Sequence, residues 1–209
     1  MTQRIDTNAR VAWANAYDSG IRTQAAADMA ESGCKVQTGK KQNSGGSHND
    51  HYWPIYATIE RLGREQPTLV AVGHWLCLSN EGEANQHLDD VADAILDRYV
   101  SQVGAGVWMK YRKTRKQRVE AIIQARMTME RRDMCGEQPK WQPTEVAFYC
   151  REIMGVSIVV SQWKRDGWDD VWSTVGDIIR DLEIDAMEPI HHSISRANKL
   201  IRQEWQEAA

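Results

Sequence analysis

Apolar residues recur at helical spacing along most of this chain, and that periodicity limits the fold to a mainly α architecture. Over 169–185, Val171, Val175, Ile178 and Leu182 form an inner stripe supported by Trp172 and Ile179, with Asp169 as cap and an acidic outer face. Pro189 suits the start of a separate last helix to about Gln206, with Ile190, Ile194, Ala197, Leu200 and Ile201 inward and Arg196, Lys199 and Arg202 together on the other side. Leu88, Val91, Ala92, Ile95 and Tyr99 predict a helix over about 86–103, with Asp89, Asp90, Asp93 and Asp97 outward. Pro54 opens a helix through Leu62, and 67–78 is apolar nearly all round. That run has the length of a buried helix or a buried strand, and its helical neighbours favour the helix. Residues 79–86 read as a polar loop, and 1–33 as Ala-rich helices, with Val11, Ala12, Trp13, Ala16 and Tyr17 on one face of the first and a second from Thr23 to Ala30. Gly104 and Gly106 mark a break. The expected organisation is a helical N-terminal region over 1–106, followed by a helical domain over 107–209 that contains a helix-turn-helix.

Several chemistries are excluded by what is missing. Cys34, Cys77, Cys135 and Cys150 stand alone, so they suggest neither a zinc finger nor a disulfide framework. With no signal peptide, a reducing cytoplasm is the expected setting. No apolar run approaches the roughly 20 residues that cross a bilayer, so no membrane partner is expected. Residues 34–52 are a Gly-, Ser- and Asn-rich loop in which His48 and His51, with Cys34 upstream, are too sparse for a metal site. His74, inside an apolar run, reads as a hydrogen-bonded core residue. The aspartates at 89–97 and His191-His192 do not cluster as a nuclease would need. No cofactor and no enzymatic activity are expected. Nine Trp beside one Phe point to indole anchors in the core or at protein contacts.

Charge is distributed unevenly. The whole chain carries −3, yet 110–132 holds nine basic residues (Lys110, Arg112, Lys113, Arg115, Lys116, Arg118, Arg126, Arg131 and Arg132) against Glu120 and Glu130. That block is therefore +7 and the remainder −10. Its centre, RKTRKQR at 112–118, has no apolar residue on any side. A helix polar all round projects into solvent or lies on a polyanion, and phosphate contacts would make such binding salt-dependent.

The stretch WQPTEVAFYCREIMGVSIVVSQWKRDGW, 141–168, follows directly. Pro143 fits a first helical position, with Glu145 in the first turn. Val146, Tyr149, Cys150 and Ile153 make one apolar face, and Gly155 can end the helix in a left-handed conformation. Ser157 can cap a second helix with Val156, Val159, Val160 and Trp163 inward. Ser157, Ser161, Gln162, Lys164 and Arg165 would then face outward, as in a recognition helix set into the major groove.

With RKTRKQR beside TEVAFYCREIMGVSIVVSQWKRDGW, the chain resembles the late-gene antitermination proteins of lambdoid phages, the Q proteins, in the branch without a zinc finger. That resemblance implies a protein of the host bacterial cytoplasm that binds double-stranded DNA at a late promoter. It would engage host RNA polymerase paused with its sigma factor and carry it past terminators, with nascent RNA and host elongation factors as further partners. Ser157, Ser161, Gln162, Lys164 and Arg165 would contact DNA, and Lys110, Arg112, Lys113, Arg115, Lys116 and Arg118 would contact phosphate or RNA. The alternative is a phage packaging or replication adaptor, which would also carry a helix-turn-helix but should oligomerise.

Overall fold

The structure is a computed structural model that describes residues 4–17, 50–78, 80–134 and 141–207. The expected helix at 23–30, the loop up to residue 49 and Cys34, His48 and Cys135 lie outside these residues. Nine α-helices and no strand form among the described residues: α1 (Ala9–Tyr17), α2 (Trp53–Glu65), α3 (Pro67–Cys77), α4 (Glu81–Asn85), α5 (Leu88–Val103), α6 (Ala105–Lys110), α7 (Lys113–Met134), α8 (Pro143–Glu152) and α9 (Trp168–Glu207). The mainly α expectation holds, and 67–78 is a helix. One short helix was not legible: α4, polar except for Ala84, forms inside the stretch read as a loop, with Asn80 accepting from the Gly82 amide at 2.9 Å and Ala84 fully buried. No helix among the described residues is long and apolar enough to cross a membrane.

The architecture is organised on α9, which packs against α1, α2, α3, α5 and α7. Trp13, Ile59, Trp75, Ile95, Ile122, Val175, Ile178 and Ile190 belong to one hydrophobic cluster that draws on both sides of Gly104. Gly104 therefore turns the chain between α5 and α6, Gly106 lies inside α6, and the described residues before this turn share their core with those after it. Asn198, buried on α9, ties in the N-terminal segment by accepting from the Ile5 amide and donating to the Ile5 carbonyl, both at 3.0 Å.

Pro189 does not begin a helix. It lies inside α9, a single helix of 40 residues. Proline removes one helical N–H and crowds the carbonyl four residues back, a cost of about 3 kcal/mol. Ala186, Met187, Ile190 and Ile194 on its two sides are all buried, and burial of each large apolar side chain contributes about 1.5–3 kcal/mol. Packing thus outweighs the local break. Leu200, expected inward, is instead 53% exposed.

His74 behaves as a core residue. Its Nδ1 accepts from the Trp13 indole N–H at 3.3 Å, and its ring stacks on His87 with centroids 4.9 Å apart. Burial first, and His87 second, push its pKa from 6.5 down to about 4, against a weaker upward pull from Glu60. Protonation is harder in the folded chain than in the unfolded one. The stabilising contribution is therefore complete above pH 6.5 and is lost as pH falls toward 4. His74→Gln keeps an acceptor for Trp13 and is expected to flatten the fall in stability between pH 6.5 and 4 in urea titrations. A slope identical to that of the parent protein would assign the acid sensitivity to other groups.

Candidate nucleic-acid interface

The basic block is not uniformly free. Trp108 of α6 meets Tyr99 edge-on with centroids 6.1 Å apart and Tyr111 at 5.6 Å, which places an aromatic shelf under the first turns of α7. The Arg115 guanidinium lies 4.8 Å from the centroids of both Tyr111 and Trp168, and Lys116 lies 5.2 Å from that of Trp108. Burial and the neighbouring Tyr111 raise the Tyr99 hydroxyl to about 12, so it stays neutral beneath these cations. Arg115 also donates from Nη1 to the Asp166 carbonyl at 3.1 Å. RKTRKQR is therefore divided: Arg115 and Lys116 are spread on aromatic faces, an arrangement worth about 0.5–2 kcal/mol per contact, while Arg112, Lys113, Thr114 and Gln117 stay exposed.

Further along α7 the cations are structural. Arg126 pairs with Glu130 at 2.6 Å and lies over Trp172 at 4.8 Å. Arg131 donates to the Trp75 carbonyl and, at 3.2 Å, to the Leu78 carbonyl. It thereby satisfies acceptors at the end of α3, where no further helical amide follows. Lys110, Arg112 and Lys113 are exposed and Arg118 is half-buried.

The recognition helix expected from Ser157 does not form. α8 begins as read, with Pro143 in its first turn and a Gln142–Glu145 capping box. Gly155, at φ 65°, then reverses the chain, and the Val156 amide donates to the Cys150 carbonyl at 2.8 Å. Residues 155–159 are non-helical, Val160–Gln162 make one 3-10 turn, and 163–167 form a further turn. The physical reason is visible in the burial pattern. Val156 and Ile158 point inward, while Ser157 and Val159 point outward, a two-residue alternation that suits the β-branched run better than a helix does. Val159 and Val160, expected inside, are 43% and 38% exposed, and Ile153, expected on the apolar face, is 66% exposed. Trp163 is buried as expected, and its indole donates to Asp169. Ser157 and Ser161 are exposed and Gln162 half-buried, but no helix presents them together. The helix-turn-helix in its expected form is absent from 141–168.

Lys164 and Arg165 are exposed on the 163–167 turn, and Arg115 fastens that turn to α7 through Asp166 and Trp168, two residues from Lys113. Arg165 also meets Asp166 at 3.2 Å, an exposed pair of small worth. Lys110, Arg112, Lys113, Lys164 and Arg165 are all exposed, on segments that Arg115 links through Tyr111, Asp166 and Trp168. Tyr111, followed by Arg115 four residues on, was the sequence signal for this packing; its second ring, Trp168, could not be paired with Arg115 from spacing.

Compared with protein-family models, curated proteins and solved structures, the chain matches none. No group of three or more His, Cys, Asp or Glu able to hold a metal occurs among the described residues.

Proposed function

We propose that this protein is a non-enzymatic DNA-binding factor that grips duplex phosphates with the corner built from α6, the start of α7 and the 163–167 turn. The observation that carries this reading is the set of five exposed cations on segments that Arg115 links, in a chain whose remaining charge is strongly negative. Acidic surfaces elsewhere repel the polyanion and direct it to that corner. Contacts of this kind position DNA without reading bases. Sequence preference would then come from Ser157 on the non-helical 155–159 segment and Ser161 and Gln162 on the following 3-10 turn, or from a partner.

The process we assign to it is transcription antitermination, resting on the resemblance to the lambdoid late-gene antiterminators. The factor would load onto host RNA polymerase paused with its sigma factor near a promoter and allow read-through of terminators. The test is a transcription reaction with host polymerase on a template carrying the neighbouring late promoter and a terminator. Read-through that requires both the protein and the promoter-proximal DNA supports antitermination; DNA binding without read-through would leave the packaging or replication adaptor.

Binding itself has a quantitative signature. Five phosphate contacts release counterions and give a slope of log K against log salt of about −4 to −5. Lys113→Gln and Lys164→Gln are each expected to lower the slope by about 1 and to weaken all DNA sequences alike. A slope near zero by fluorescence anisotropy would remove the corner from the interface.

A further inference from the structure

Two exposed arginines and an exposed histidine line a cleft between α2 and α9. Arg61 of α2 and His192 and Arg196 of α9 line a space of about 460 Å³, and no carboxylate is among its described lining residues. Six other described arginines meet carboxylates: Arg10, Arg98, Arg126, Arg151, Arg165 and Arg180. Arg61 and Arg196 meet none among the described residues, which they share with other exposed arginines such as Arg64 and Arg202. The chain outside 110–132 sums to −10, yet no carboxylate lines this cleft; the nearest acidic lining is across His192, in the neighbouring space that holds Glu183 and Glu188.

The frame is held by hydroxyls. Thr58 donates to the Pro54 carbonyl at 2.8 Å, Ser193 donates to the same oxygen at 3.2 Å, and the two hydroxyl oxygens lie 3.1 Å apart. These contacts join α2 to α9 below the cations. Pro54, Pro189 and Leu200 supply an apolar wall. Both departures of α9 from its sequence pattern, the interior proline and the outward Leu200, line this cleft. Local rule-breaking of that kind concentrates at functional sites.

We propose that the α2–α9 cleft binds the phosphomonoester group of a small organic phosphate, of the size of a nucleoside monophosphate. Arg61 and Arg196 clamp the phosphate oxygens from two helices, as planar guanidinium forks do. His192 adds an N–H donor, and the proline and leucine wall covers the organic portion. The volume lies within the range of about 300–1,000 Å³ typical of small-ligand sites. A monoester carries about −1.5 to −2 charges at neutral pH and matches two guanidinium groups; a backbone diester carries one. The assignment does not depend on the DNA-binding corner.

The test is calorimetric titration of the full chain with the four nucleoside monophosphates and ribose 5-phosphate. The corresponding nucleosides and a short single-stranded oligonucleotide without terminal phosphate serve as comparison ligands. At least one phosphomonoester is expected to bind, its nucleoside not to bind, and Arg61→Gln and Arg196→Gln each to weaken binding about tenfold or more. Arg180→Gln, which removes an exposed cation elsewhere on α9, is expected to leave the affinity unchanged. Absence of binding by every monoester, or binding that survives both cleft variants, would overturn the proposal. An oligonucleotide that binds through Arg61 and Arg196 as tightly as the monoesters would also overturn it and make the cleft part of a nucleic-acid track.

Discussion

Gly73→Ala is expected to lower stability by about 3 kcal/mol, a drop in Tm of roughly 6–12 °C for a chain of this size. A Cβ at this position would lie 2.2 Å from two carbons of the Trp13 indole and 2.7 Å from a third. The ring cannot swing aside. Trp13 is fully buried, donates its indole N–H to His74 and meets that imidazole edge-on with centroids 5.7 Å apart. Overpacking of a rigid contact therefore exceeds the helix-propensity gain of about 1 kcal/mol that alanine brings. Gly63 provides the contrast, because its added Cβ would meet only a Val70 methyl at 3.7 Å. Gly63→Ala on α2 is expected to raise stability by about 0.5–1 kcal/mol. Thermal unfolding of the two variants separates the cases, and a Gly73→Ala protein as stable as its parent would mean that Trp13 does not seat against α3.

Arg115→Gln is expected to weaken DNA binding by about tenfold or more, and Arg115→Lys to weaken it nearly as much. Arg115 is half-buried, and its guanidinium is engaged by two aromatic faces and a backbone carbonyl. Its own charge is committed to the protein, so in the proposed DNA complex its effect would run through the placement of Lys164 and Arg165. A lysine retains the charge but lacks the planar group that can stack on Tyr111 and Trp168 while donating to Asp166. A second readout does not involve DNA. Lys164 and Arg165 are trypsin sites on the turn that Arg115 fastens, so cleavage there should accelerate in both variants. Cleavage at the parental rate with reduced DNA affinity would instead make Arg115 a direct phosphate contact; parental behaviour in both assays would show that the corner is held by other contacts.

Helical periodicity is a local property, and it was legible wherever a helix had one buried face. The stripe Val171, Val175, Ile178 and Leu182 is buried as its spacing indicated, and so are Val91, Ile95 and Tyr99, with the aspartates of the same helix exposed. The apolar run 67–78 needed only its helical neighbours to be placed. Local signals misled where packing overrode them. Pro189 reads as a helix start, yet buried residues on both sides carry α9 through it. Ser157 reads as an N-cap, yet alternate burial of Val156 and Ile158 keeps the following residues extended. The charge excess of 110–132 was likewise evident from composition, but its division was not. Arg115 finds its carbonyl partner 51 residues away, and Arg131 finds its own 53 and 56 residues away. Residue type and spacing therefore determined that this chain is helical and where its positive charge lies. Only the tertiary structure decided which cations are spent on aromatic rings and helix ends and which are left exposed, because those contacts link parts of the chain whose separation carries no periodic signal.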